Sequence, residues 1–145
     1  MPECPTDAGG AGWTGMSVSL LAEIARKLEQ LAAGETPEAI DLRSLPISPL
    51  DMADLKAQLG TGEVRATVDI SGRTSVDETR YPGVWMITHL GPDGEILAQL
   101  IEIVRVPDLL IAQDADIRQS ALALARSLAT PAPHTTRRQE DAVDV

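Results

Sequence analysis

The chain has 145 residues, a length that suits one domain. Hydrophobic residues make up 43% and charged residues 23%, the balance of an ordinary globular chain with a core of its own. Twelve Lys and Arg against 22 Asp and Glu leave a formal charge of −10, which argues against binding to nucleic-acid phosphates and admits a basic partner.

Residues 1–15 read as a disordered leader rich in Gly and Pro. The sole cysteine, Cys4, lies there and excludes an internal disulfide. No secretory apolar region follows Met1, and no apolar run is long enough to span a bilayer. The expected location is therefore the cytoplasm, without membrane insertion. From Ser17 the pattern turns helical, with Leu21, Ile24, Leu28 and Leu31 on one stripe. Ser17 or Ser19 can cap its start, Glu23 and Lys27 form a favourable i, i+4 pair, and Gly34 suits the left-handed position past its end. Asp41 to Pro46 reads as a connector. Ser48-Pro49-Leu50-Asp51 is a helix start: a capping hydroxyl, a proline in the first turn and a carboxylate at the positive helix end. Met52, Leu55 and Leu59 form its apolar stripe, and Gly60 ends it.

Glu63 to Ile70 alternates, with Val64, Ala66, Val68 and Ile70 inward, as a half-buried strand does. Ser71-Gly72 is a turn, and Arg73 to Thr79 continues as a more polar strand, expected at the sheet edge with Val76 as its anchor. Pro82 removes a ladder donor and Gly83 permits a positive φ, so the pairing breaks there. Val84 to Leu90 carries bulk on both faces, which predicts a central strand. Gly91 to Gly94 is a hairpin loop, and Glu95 to Val106 the longest strand candidate. Pro107 opens a short helical segment, and Asp114 caps a last helix with Ile117, Ala121, Leu124 and Leu128 on its stripe. Residues 130–145 read as a disordered tail. The expected fold class is α+β: an antiparallel meander of three or four strands packed against N-terminal and C-terminal helices, in one domain over residues 16–129.

Catalytic signals are absent. The two histidines, His89 and His134, match no metal-ligand spacing, and no Gly-rich phosphate loop or nucleophile elbow occurs. No enzyme activity, metal or cofactor is expected. Asp77 and Glu78 point to opposite strand faces and cannot act as an acid/base pair without a bulge. Glu102 sits in an apolar run and needs a partner, with Arg80, Arg105 and His89 as candidates. Trp85 either plugs a helix–sheet gap or serves as a partly exposed recognition anchor.

Several segments in a fixed order carry a family resemblance. Ala39-Ile40-Asp41-Leu42-Arg43-Ser44-Leu45-Pro46 leads into Ser48-Pro49, and Leu59-Gly60 precedes Gly62-Glu63-Val64. Glu78-Thr79-Arg80-Tyr81-Pro82-Gly83-Val84-Trp85 and Ile101-Glu102-Ile103 to Val106-Pro107 complete the series. The set resembles the conserved C-terminal region of the HupH/HyaF-type hydrogenase expression/formation proteins. The resemblance implies a non-catalytic accessory role in nickel–iron hydrogenase maturation. It implies a dedicated chaperone for a hydrogenase subunit, the iron–sulfur small subunit or its twin-arginine signal segment before export, working beside other hydrogenase accessory proteins. Against the longer members the chain is expected to lack a preceding domain of similar size, so that either it performs the full role alone or a homodimer replaces the missing half. The expected contact residues are Glu78, Arg80, Tyr81, Trp85, His89 and Glu102. The competing reading is a small-molecule or enzymatic pocket around Glu78, Arg80, His89 and Glu102.

Overall fold

A computed structural model describes residues 12–69 and 72–130. Cys4, His134, Ile70, Ser71 and most of the expected leader and tail lie outside them. The chain divides into two units, 1–107 and 108–145.

In the first unit the order is α1 (Met16–Ala32), β1 (Ile40–Asp41), a 3-10 turn (Leu42–Ser44), α2 (Pro49–Leu59), β2 (Arg65–Asp69), β3 (Arg73–Glu78), β4 (Val84–Leu90) and β5 (Ile96–Ile103). The fold is α+β, and the sheet is antiparallel with spatial order β1-β5-β4-β3-β2. A meander runs from β2 to β5, and β1 closes the far edge by pairing Ile40 with Ile101 and Asp41 with Leu100.

Both helices form where the local chemistry points, with one difference. The N-cap of α1 is Gly15, in the left-handed region, and neither Ser17 nor Ser19 caps it. Ser17 is instead buried and donates to Asp54 Oδ2 at 2.6 Å, tying α1 to α2. At the other end Glu35 N–H donates to Gln30 C=O and Gly34 N–H to Leu31 C=O, so the orphan carbonyls of the last turn are satisfied around Gly34. The Ser48 hydroxyl caps α2 by accepting from Asp51 N–H at 3.1 Å, with Pro49 in the first turn.

Leu20 and Ile24 of α1, Leu55 and Leu59 of α2, Ile40, Leu42, Val84, Ile101 and Ile103 form the core between the helices and one sheet face. Alternation along the strands places Val84, Met86, Ile101 and Ile103 on that face. Val76, Trp85 and Ile87 are buried on the opposite face. β4 is central, as its two bulky faces imply.

The edge assignment is reversed. β3 lies between β2 and β4, and β2 is the edge strand. Thr74 and Val76 of β3 are buried, whereas Val64 ahead of β2 is 43% exposed. The longest strand is also shorter than expected: β5 ends at Ile103 and the chain turns away through 104–106. The expected connector from Asp41 to Pro46 begins on a strand residue, since β1 covers Ile40–Asp41, and continues as the 3-10 turn.

The second unit has a 3-10 turn over Asp108–Leu110 and α3 over Asp114–Ala129. Gln113 precedes α3 as its cap residue without a side-chain bond, and Asp114 and Asp116 lie in the acidic first turn.

Candidate functional site

The break between β3 and β4, residues 79–83, is a braced turn. Thr79 N–H and its hydroxyl both donate to Val84 C=O at 3.0 Å. The same hydroxyl oxygen accepts from Tyr81 N–H at 3.1 Å, and Val84 N–H returns to Tyr81 C=O at 2.9 Å. Arg80 N–H donates to Leu59 C=O, a carbonyl left open at the C-terminus of α2, at 2.8 Å. Val104 N–H donates to Gly83 C=O at 2.9 Å. Gly83 has φ +101°, and a Cβ there would lie 3.2 Å from Leu28 Cδ2. Glycine is thus favoured by the backbone, and a Cβ would also press on the Leu28 side chain of α1.

This bracing presents Arg80 and Tyr81 outward. Tyr81 is 44% exposed, and the Arg80 guanidinium lies 6.0 Å from its ring centroid, within cation–π range. Tyr81 borders a groove of about 250 Å³ lined by Leu21, Ile24, Ala25 and Leu28 of α1 and by Gln58 and Leu59 of α2. The groove is smaller than the ~300–1,000 Å³ of small-molecule sites and fits one or two apolar side chains of a larger partner.

The remaining expected residues have other surroundings. Trp85 is 5% exposed, and its indole Nε1–H donates to Val104 C=O at 3.0 Å. It is buried, as the gap-plugging alternative expects. Register places Glu78, Trp85 and Glu102 in one row across β3, β4 and β5. Glu78 Oε1 accepts from Glu63 N–H at 3.2 Å and so ties the start of the edge strand to β3. His89 pairs across the strands with Thr74, the Thr74 hydroxyl lying 2.7 Å from Nδ1. His89 is four residues from Trp85 along β4, about 13 Å at strand rise, so it does not share a pocket with the Glu78–Glu102 row. A polar cleft of about 370 Å³ opens on the helix-facing side of the sheet, lined by Lys56, Arg65, Asp77, Thr88, Gln99 and others. Of the four residues of the small-molecule reading, its lining includes Glu78. Among the described residues no group of three or more His, Cys, Asp or Glu side chains could hold a metal, and no helix is long and apolar enough to cross a membrane.

Asp51 carries a role that its position near a helix start did not reveal. It is fully buried, and it accepts from Thr14 N–H at 3.0 Å, from the Thr14 hydroxyl, and from the Ser48 hydroxyl at 2.9 Å. The Ser48 hydroxyl also lies 2.7 Å from Gly12 C=O. Burial by itself pushes the carboxyl up, but the bonds from Thr14 and Ser48 together pull it below the ordinary carboxylate value. This network fastens residues 12–15 to α2. Thr14 and Asp51 are 37 residues apart, so no local pattern announces the contact.

Comparison with known proteins is consistent across sequence and structure. The family model described as HupH hydrogenase expression protein, C-terminal conserved region, matches residues 16–130. The hydrogenase expression/formation protein HoxQ of Azotobacter vinelandii is 31% identical over 104 residues, 72% of this chain and 36% of that protein. The hydrogenase expression/formation protein HupH of Rhizobium leguminosarum bv. viciae is 30% identical over 101 residues, 70% of this chain and 36% of that protein. The chain therefore spans a little over a third of the length of these relatives. A solved structure, hydrogenase expression protein HupH from Thiobacillus denitrificans ATCC 25259, is similar with a TM-score of 0.75 and 40% identity, over 80% of this chain and 97% of that one.

Proposed function

The chain belongs to the HupH hydrogenase expression protein family, in its C-terminal conserved region, and from that premise we propose that it is a non-catalytic accessory protein of hydrogenase maturation. It holds a nickel–iron hydrogenase subunit, the iron–sulfur small subunit or its signal segment, in the cytoplasm before export. The observation that carries this reading is the exposed Arg80–Tyr81 pair, braced at the mouth of an apolar groove between α1 and α2. An exposed aromatic beside an arginine is the composition of a binding hot spot. A signal segment joins basic residues to an apolar stretch. One or two side chains of that stretch fit the groove, and the chain's charge of −10 favours the basic end.

Glu78 lines the neighbouring polar cleft, while Trp85 and His89 lie on β4 and Glu102 on β5. Copurification with epitope-tagged small-subunit precursor tests the reading. Wild-type protein is expected to retain the subunit, and the Arg80→Ala/Tyr81→Ala double variant, still folded by circular dichroism, is expected to bind at least about ten-fold more weakly, as for loss of a hot spot. Equal retention by that variant would reject the groove as the contact.

A further inference from the structure

β2 ends the sheet, and its outer edge is free among the described residues. Its geometry defines which backbone groups face outward. Glu78 N–H donates to Val64 C=O at 2.9 Å, and the register sets Arg65 opposite Asp77, Ala66 opposite Val76 and Val68 opposite Thr74. In an antiparallel ladder alternate residues bond to the same neighbour. Val64, Ala66 and Val68 therefore bond towards β3. Arg65, Thr67 and Asp69 turn their N–H and C=O groups away from the sheet, and all three are exposed.

The sequence of this edge is self-complementary. Read in one direction it offers Arg65, Thr67, Asp69, and an antiparallel copy reads Asp69, Thr67, Arg65. A two-fold axis at Thr67 places Arg65 opposite the second copy's Asp69, Thr67 opposite itself, and Asp69 opposite the second copy's Arg65. All three are hydrogen-bonded positions, so the backbone and the charges are satisfied in the same register. On the other sheet face Ala66 then meets Val68 of the copy. Charged residues on an edge usually guard it against any incoming strand. Here they refuse a strand of unmatched charge and accept β2 itself.

We propose that two copies of this chain associate through their β2 strands, Arg65, Thr67 and Asp69 pairing about a two-fold axis to join two five-stranded sheets into one. The pairing is isologous, with each contact made twice. Arg65 and Asp69 are exposed and have intrachain partners in the half-buried Asp77 and the exposed Arg73, at 3.5 and 3.8 Å, surface pairs that cost little to exchange. A short strand pair falls below the ~1,200 Å² of standard interfaces, so association is expected at micromolar to millimolar concentration.

Sedimentation equilibrium of the full chain at about 0.15 M salt, where net repulsion is screened beyond ~8 Å, tests the proposal. Wild type is expected to shift from monomer to dimer as concentration rises to about 1 mM. Arg65→Asp and Asp69→Arg each create two like-charge pairs and are expected to weaken dimerisation about ten-fold or more. The double variant Arg65→Asp/Asp69→Arg is expected to restore it to within about three-fold of wild type. That rescue cannot come from the intrachain pairs. The carboxylate introduced at position 65 would still face Asp77, and the guanidinium introduced at position 69 would still face Arg73. Thr67→Pro removes an outward N–H without breaking the bonds to β3, and is expected to leave a folded monomer. A monomeric wild type, or singles that dimerise as wild type does, would overturn the proposal. So would edge variants that lose small-subunit binding with unchanged association, which would assign the edge to the client instead.

Discussion

Replacing Trp85 separates a packing role from a recognition role. The side chain is 5% exposed on a central strand, and its indole N–H bonds to Val104 C=O at 3.0 Å. A tryptophan so placed removes about 200 Å² from water, worth about 5 kcal/mol at ~25 cal/mol/Å². The alanine variant keeps the Cβ, and partial collapse of the hole recovers some of the loss, so about 3–5 kcal/mol of destabilisation is expected. For a chain of this size that lowers Tm by roughly 6–20 °C. Trp85→Phe keeps most of the apolar surface but leaves Val104 C=O without its donor, an expected loss of about 1–2 kcal/mol. Urea unfolding followed by far-UV circular dichroism measures both, with tryptophan fluorescence avoided because Trp13 also reports. If Trp85→Ala were within about 0.5 kcal/mol of wild type yet failed to bind the subunit, Trp85 would be a recognition residue and not a packing one.

Other predictions concern the turn and the Asp51 network. Gly83→Ala forces a Cβ to φ +101° at 3.2 Å from Leu28 Cδ2, and should cost about 1–3 kcal/mol, read as a lower urea midpoint. Asp51 is held below the ordinary carboxylate value, so its stabilisation is fully present above an unfolded pKa of about 3.9 and is lost as pH falls through the folded value. Asp51→Asn should lower stability at pH 7 and flatten the stability curve below about pH 5, and a wild-type pH dependence in that variant would refute the assignment. Gly60 takes a positive φ, and a Cβ there would lie 2.7 Å from Arg80 Nε. Gly60→Ala should therefore displace the Arg80 side chain and weaken subunit capture, with a matching drop in midpoint from backbone strain.

Much of the architecture was legible where one residue's chemistry suffices. Ser48, Pro49 and Gly60 bound α2 because capping, a fixed φ and a positive φ are local properties. Gly83 marked the break for the same reason. β4 announced its central place through apolar residues on both faces. What failed were properties set by partners distant in sequence. β3 looks like an edge by composition, yet the single pair Thr74 and Val76 supplies its buried face. β2 alternates as a half-buried strand should, and nothing within it tells that, among the described residues, no strand lies beyond it in the sheet. β1 is two residues long and exists only by pairing with β5.

The candidate site was legible in part. Arg80 and Tyr81 sit where the strand break implies, on the turn. Trp85 could not be oriented from sequence, because alternation assigns it a face but not what fills the space around it. The Gln58–Leu59 wall of the groove was missed because α2 reaches the turn through one backbone bond, Arg80 N–H to Leu59 C=O.

The most direct test of the accessory role is the affinity of purified chain for the hydrogenase small-subunit precursor, with and without its signal segment, by isothermal titration calorimetry. Saturable binding that falls at least about ten-fold when the segment is removed, or when Arg80 and Tyr81 are both replaced by alanine, is the predicted result. Absence of binding to the precursor, or binding indifferent to both changes, would contradict it.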